Sequence, residues 1–205
     1  TLFRSSGGCI MSNRIITISR EFGSGGRTIG KSVAAELGIP CYDSEMIEKI
    51  ADRSGLAKEY IAEQGEYSPH DSWLANAFSA GRSISGFSTQ DYLWTVQRDV
   101  ILDLAQKESC VIVGRCADYI LDGVQDCLKV FIFASPEKRA KRIVEVYGER
   151  ADSPAKRIKD KDKRRKSYYR FYTDMEWGQA NNYHISLDSG TLGIDTCTAI
   201  IKSLY

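Results

Sequence analysis

Gly23, Gly25 and Gly26 fall within four residues, and Arg27 and Thr28 follow them directly. Glycines let a backbone curl so that consecutive N–H groups point inward, and a helix starting there adds partial positive charge at the same spot. The flanks fit that use. Ile15 to Ile18 is an apolar, β-branched run that reads as a strand entering the loop. Ile29, Val33, Ala34 and Leu37 then recur at helical spacing up to Gly38-Ile39-Pro40, and Ile39 to Tyr42 is a short second strand ending in Asp43. An arginine beside such a loop can grip a phosphate with two N–H donors. The chemistry this spacing permits is the capture of a nucleotide's phosphate tail. A glycine-rich turn with no ligand is the alternative for the loop alone.

The register decides which cation meets the phosphates. The pattern G-x-x-x-x-G-K-[ST] is met literally at Gly25 to Ser32, with Gly30, Lys31 and Ser32 as its last three members. That register would start the helix near Lys31 and leave about two turns before Gly38. The apolar spacing from Ile29 puts the helix already underway at Thr28, so Lys31 lies a turn inside it, facing solvent. In the better register Gly23-Ser24-Gly25-Gly26-Arg27-Thr28 takes the place of G-x-G-K-S-T. Gly26 then stands at the lysine position, with Arg27 beside it and Arg20 at the strand exit as the second candidate cation.

The rest of the chain alternates strand and helix. Ser44 can cap a helix bearing Met46, Ile47, Ile50 and Ala51, closed by Ser54-Gly55. Residues 56–88 are less regular. Ser88 or Thr89 caps a long helix with Leu93, Val96, Val100, Ile101 and Leu104 as its stripe. Cys110 to Val113 and Leu128 to Phe133 are nearly all apolar, as parallel strands covered on both faces should be. Ser135-Pro136-Glu137 opens another helix that ends at Gly148. Tyr183 to Leu187 is a fifth strand and Ile194 to Leu204 a closing helix. The expected architecture is α/β: five parallel strands with helices on both faces, and ligands beyond the strands' C-terminal ends.

Composition narrows the function classes. At 205 residues, one domain is the simplest division, and the formal net charge of +1 gives no overall pull toward nucleic acid or an anionic membrane. No apolar run nears the roughly 20 residues of a membrane span. Residues 1–10 read as a segment upstream of the domain, with no signal-like apolar stretch, and Met11 as a natural start. Six scattered cysteines without a C-x-x-C pair suit reduced thiols in the cytoplasm. Two histidines, His70 and His184, give little support to a hydrolase triad or a histidine metal cluster.

Other polar signals sit at strand ends. Asp43-Ser44-Glu45 follows the second strand. Its acid can cap the next helix, or hold a substrate group or a water on Mg²⁺, which binds few protein ligands directly. Gly114-Arg115 follows the third strand. Lys156 to Lys166 carries eight Lys/Arg among eleven residues, broken by Asp160 and Asp162. It reads as a solvated helix face, a nucleic-acid patch, or a lid whose arginines close over a triphosphate.

Ser19-Arg20-Glu21-Phe22-Gly23-Ser24-Gly25-Gly26-Arg27 resembles the altered phosphate-binding loop of the cytidylate kinase-like branch of the P-loop kinases, in which arginine stands in for lysine. The likeness runs roughly from Ile15 to Leu204. It implies a P-loop kinase domain over 11–205, with an acceptor-binding helical region at 56–105 and a helical lid at 148–175. It implies ATP and Mg²⁺ as cofactors. The acceptor would be a small molecule, most simply a nucleoside monophosphate such as CMP; another metabolite kinase and a nucleotide-binding regulatory protein without transfer are the alternatives. Arg20, Gly23, Ser24, Gly25, Gly26, Arg27 and Thr28 would bind the nucleotide. The D-x-[DE] element at Asp43 and Glu45 resembles that of shikimate kinases, whose first acid touches the acceptor; here Asp43 would orient the acceptor or a metal-bound water. Gly114-Arg115 resembles a G-R-D element whose arginine contacts the acceptor, with Cys116 in the acid's place; a surface salt bridge is the other reading of Arg115. Asp162 to Tyr169 resembles the lid's D-x-x-R and R-x-x-Y-Y runs. Arg139 and Arg142 at the lid's base, and Arg164 and Arg165 within it, would act with Arg27 and Arg115 on the transferring group. Tyr168, Tyr169, Phe171, Tyr172 and Trp177 read as packing of the lid's return helix or a homodimer contact, ahead of base stacking. No nucleic-acid or membrane partner is expected.

Overall fold

The first strand, β1 (Arg14–Arg20), is buried on both faces: Ile15, Ile16 and Ile18 have no exposed surface, and Thr17 and Ser19 almost none. Only a strand inside a covered sheet is read this way. The structure is a computed structural model that describes residues 13–47, 83–84 and 87–205. After β1 come α1 (Gly26–Leu37), β2 (Cys41–Tyr42), a short antiparallel hairpin of β3 (Ser83–Ile84) and β4 (Phe87–Ser88), α2 (Thr89–Lys107) and β5 (Cys110–Val113). Then follow α3 (Ala117–Ile120), β6 (Asp126–Phe133), α4 (Pro136–Tyr147), α5 (Pro154–Thr173), a 3₁₀ turn (Ala180–Asn182), β7 (Ile185–Asp188), α6 (Ser189–Leu192) and α7 (Ile194–Ser203).

The main sheet has the order β2-β5-β1-β6-β7, and every pairing in it is parallel. β1 lies between β5 and β6, with Ile16 opposite Val111 on one side and Leu128 on the other. The chain departs from β1 toward β2 on one flank and returns later to β6 on the other. The β1–α1 loop therefore opens at the switch point of the sheet, where such folds bind ligands.

Helices cover both faces. Ile16, Ile18, Val111, Val113, Val130 and Ile132 pack with Ile29, Val33 and Ala34 of α1 and Cys197 and Ile201 of α7. Ile15, Cys110 and Ile112 face Val96, Val100, Ile101 and Leu104 of α2 and Ala117, Ile120 and Leu121 around α3. Alternate residues of one strand thus feed two cores. A Cβ on Gly30 would lie 2.8 Å from Val113 Cγ2, so this glycine lets α1 approach the sheet. The capping signals act as their chemistry suggests. Ser135 and Ser153 accept from Lys138 N and Lys156 N, each followed by proline, and Gly38 closes α1 with φ 68°.

The five parallel strands stand where the apolar runs put them, with shifted ends. β2 is shorter than the expected 39–42 because Pro40 has no N–H to pair, although its carbonyl accepts from Val111 N at 2.9 Å. β6 begins at Asp126, opposite Arg14, rather than at Leu128. β7 begins at Ile185 rather than Tyr183. The expected lid segment contains one 20-residue helix, α5. Of the helix expected from Ser44, residues 44–47 are helical, and the remainder lies outside the described residues, as does most of 56–88.

Candidate active site

The loop is shaped by what lies beneath it. Gly23 and Gly25 have φ of 84° and 82°, a region that side chains rarely enter. A Cβ on Gly23 would lie 2.7 Å from Ile143 Cγ2 of α4, and one on Gly26 would lie 2.5 Å from Arg20 Cβ. Helix α1 starts at Gly26 with Gly25 as its N-cap, so its first free N–H groups face the loop. The helix is underway at Thr28, and Lys31 is an exposed residue one turn inside it. The literal motif is therefore out of register with the helix.

Above the loop is a cavity of about 200 Å³, lined by Arg20, Arg27, Arg142 and Arg165 against two carboxylates, Glu21 and Asp43. Arg20 leaves the end of β1 and runs past Gly26 to Gly114, where a Cβ would fall 2.0 Å from its Nη1. Burial, then Arg165 and Arg115, push its pKa down to about 9, with Asp43 opposing. Burial pushes Arg165 down as well, offset by Asp162, and its Nη1 donates to the Arg20 carbonyl at 2.8 Å. Arg142 of α4 donates to Thr28 Oγ1 at 3.0 Å. Arg27 turns to the other side. Its Nε donates to Asp43 at 2.7 Å and its Nη2 to Glu45 at 3.0 Å, and the Glu45 bond, ahead of Asp43, holds its pKa above the usual value. Positive charge exceeds negative around this cavity, and crowded, partly dehydrated guanidinium groups are relieved by an anion.

Behind the loop is a second charged cluster that faces away from the cavity. Asp162 of α5 accepts from the Phe22 N–H at 2.8 Å and from Arg139 Nη1. Arg139 also donates to the Phe22 carbonyl at 3.3 Å and pairs with Glu21 at 3.4 Å. The α5 helix is thus tied directly to the first turn of the loop. Burial pushes the Glu21 carboxyl up from its usual value, with Arg139 opposing.

The acceptor side begins where β5 ends. Gly114, Arg115 and Cys116 have φ of 82°, 57° and 54°, three left-handed residues in succession. Two of them carry side chains, at a cost of about 1–3 kcal/mol each. The turn sets Arg115 beside Arg20 and Tyr168. Asp43 is only 4% exposed and does two things: Oδ1 caps the following turn by accepting from Met46 N at 3.1 Å, and Oδ2 takes Arg27.

The expected residues fall into three groups. Arg20, Gly23, Gly25, Gly26, Arg27, Thr28, Asp43, Arg142 and Arg165 border the cavity. Glu45 and Arg115 stand next to it through Arg27 and Arg20. Ser24, Arg139 and Arg164 do not line it. Ser24 Oγ turns inward to the Glu21 carbonyl at 2.9 Å, Arg139 is held behind the loop by two acids, and Arg164 is exposed on α5. Asp162 carries more of the arrangement than its place in the sequence suggests, its one visible signal being a lone acid within a basic run. Asp118, buried and accepting from Tyr169 at 2.8 Å and Ser19 at 3.3 Å, joins β1 to α5 and had no signal.

The residues fit a triphosphate: a curled glycine loop, a helix N-terminus and convergent guanidinium groups. For magnesium, no group of three His, Cys, Asp or Glu residues able to hold a metal occurs among the described residues. That donor set suits an ion that keeps its waters and is carried by phosphates, with Asp43 one water away. The aromatic run is packing at α5: Tyr172 stacks on Trp94 at 4.3 Å and Tyr168 meets Tyr172 edge-on at 4.8 Å. No described helix is long and apolar enough to cross a membrane.

Comparison with known proteins agrees with this geometry. A cytidylate kinase from Archaeoglobus fulgidus is 26% identical over 190 residues, covering 91% of either chain. An uncharacterised protein from Eubacterium ventriosum has a solved structure that superposes with a TM-score of 0.71 at 29% identity, covering 94% of this chain and 98% of that one. A gluconokinase from Sinorhizobium meliloti, at 15% identity, shares the fold with a TM-score of 0.53 over 94% of this chain and 93% of its own. Residues 15–191 match the model of the cytidylate kinase-like family, and the chain belongs to that family, with a P-loop kinase fold.

Proposed function

We propose that this chain is a kinase that moves the γ-phosphoryl group of ATP to a small acceptor, and that the acceptor is a nucleoside monophosphate such as CMP. The observation that carries this reading is the convergence of Arg20, Arg27, Arg142 and Arg165 on one cavity over a glycine loop. The N–H groups of 23–28 cradle the phosphates, while Arg20 and Arg27 neutralise them. Arg142 and Arg165 reach the same charge from α4 and α5. Arg115 meets the acceptor's phosphate, and Asp43 and Glu45 aim Arg27. Arg139 acts as a positioning residue through Asp162, and Arg164 reaches the triphosphate only on closure of the lid, 148–175. Bound magnesium would neutralise phosphate charge, with Asp43 holding one of its waters.

An oxygen of the acceptor phosphate bonds to the γ-phosphorus while the bond to the β–γ bridging oxygen breaks, and that electron pair leaves on ADP. The attacking oxygen is already anionic, so no side chain has to remove a proton. Positioning and charge neutralisation then do most of the work. A hydroxyl acceptor would need a base. Both oxygens of Asp43, the acid at the second strand's end, already accept hydrogen bonds, which favours the phosphate acceptor. The reading implies a cytoplasmic protein that takes small molecules and not nucleic acid.

An ADP-release assay with ATP and CMP, dCMP, UMP or shikimate tests it. Turnover with CMP is expected and none with shikimate. Turnover of shikimate alone would reassign the acceptor. ATP binding without turnover of any acceptor would leave a nucleotide-binding protein that does not transfer.

A further inference from the structure

Gln97 lies on α2 with 1% of its surface exposed, and its Nε2 has no hydrogen-bond partner among the described residues. Buried amide donors are nearly always satisfied, so an orphan asks for an explanation. The amide's other end is engaged: the Tyr168 hydroxyl donates to Oε1 at 3.5 Å. Tyr168 belongs to α5 and also interacts with the Arg115 guanidinium. One turn before Gln97 on α2, Trp94 stacks on Tyr172 with ring centroids 4.3 Å apart, and Tyr168 meets Trp94 edge-on at 6.1 Å. The unused donor thus sits with an aromatic wall and the cation at the β5 exit, in a neighbourhood suited to a flat ring bearing an anionic group.

We propose that Gln97 is a specificity-determining contact to the acceptor's base. Its Nε2–H donates to a carbonyl oxygen or an unprotonated ring nitrogen on a planar heterocycle, while Arg115 holds the acceptor's phosphate. Cytosine presents both kinds of atom, O2 and N3, on one edge. Tyr168, by donating to Oε1, fixes which end of the amide faces the ligand. A site that leaves a buried donor unpaired until its ligand arrives rejects analogues lacking the matching acceptor. The inference rests on the nucleoside monophosphate reading of the site.

Steady-state kinetics with ATP and CMP on the full chain test it, using wild type, Gln97→Glu and Gln97→Met, with melting of each ligand-free protein alongside. Gln97→Glu keeps an acceptor for Tyr168 and loses the donor. Gln97→Met keeps the bulk and loses both. The CMP KM is expected to rise about tenfold or more in both, the worth of one hydrogen bond, with the ATP KM within about twofold. The melting temperature of Gln97→Met should not fall, because a buried orphan is removed. Wild-type turnover of CMP with an unchanged CMP KM in Gln97→Glu would overturn this inference alone. A joint rise of both KM values with a lowered melting temperature would assign Gln97 to bracing Tyr168 and also overturn it. Wild type inactive on every nucleoside monophosphate would overturn the functional reading, and this inference with it.

Discussion

The nucleotide side and the acceptor side of the site are built in opposite ways. The first comes from one continuous stretch, Arg20 to Thr28, whose glycines are required by what packs against them. The second is assembled from Asp43 after β2, Gln97 on α2, Arg115 in a left-handed turn after β5, and Tyr168 on α5. A local loop announces its chemistry in its spacing. A site gathered from four distant segments does not, and its specificity rests on packing that no short pattern encodes.

The largest expected effect breaks the framework that the two sides share. Asp162→Ala leaves Arg139 buried beside the loop and the Phe22 N–H without its acceptor. Removing one partner of a buried pair costs about 3–5 kcal/mol, so a marked fall in melting temperature is expected in thermal or urea unfolding. An unchanged melting temperature would mean that α5 is not anchored through Asp162.

Gly114→Ala crosses the comparison. The residue sits on the acceptor strand, yet its Cβ would strike Arg20 Nη1 at 2.0 Å, at a φ of 82°. Displacing that guanidinium should lower kcat/KM on the order of a hundredfold, about 2.7 kcal/mol. Arg20→Ala should match it. If Gly114→Ala is mild while Arg20→Ala is severe, the turn has room that the geometry denies.

Arg115→Ala sharpens the division. The acceptor KM should rise about tenfold, with the ATP KM near its wild-type value. Equal losses for both substrates would merge the two sides into one.

The smallest effect is on pH dependence. Arg20 in the ligand-free protein loses its proton near pH 9, because burial, Arg165 and Arg115 disfavour its charge. Polyphosphate affinity should be level below that pH and fall above it. The unfolded chain keeps the Arg20 proton to a higher pH, so it binds more protons than the native state above pH 9, and ligand-free stability should rise with pH there. Titrating ATP affinity between pH 7 and 10 checks the sign. A rise in affinity across that range would exclude Arg20 as the phosphate's partner.

Much of the fold was legible because buried parallel strands are plain apolar runs. β1 and β5 could be read directly, and Ser135-Pro136 and Gly148 bound α4 by their residue types alone. The loop was legible down to its register, since helical spacing from Ile29 fixes where α1 begins. The charge partners were not. Arg139 and Arg142 lie three residues apart on α4, yet one is held behind the loop and the other over the cavity. Arg164 and Arg165 are adjacent on α5, and only the second reaches inward. A helix turns neighbouring side chains about 100° apart, and basic composition alone cannot say which of them faces a ligand. The left-handed turn at Gly114 to Cys116 was hidden for a related reason, because two of its three residues are not the glycines that usually mark positive φ.

Arg27 and Lys31 stand four residues apart on α1, and which of them meets the triphosphate separates the arginine register of the loop from the literal motif. Calorimetric titration of ATP into wild type, Arg27→Ala and Lys31→Ala decides between them. Affinity is expected to fall at least about tenfold, or 1.4 kcal/mol, in Arg27→Ala, and to stay within about twofold in Lys31→Ala. A tenfold loss in Lys31→Ala with Arg27→Ala unchanged would contradict the register and the role of arginine at this loop.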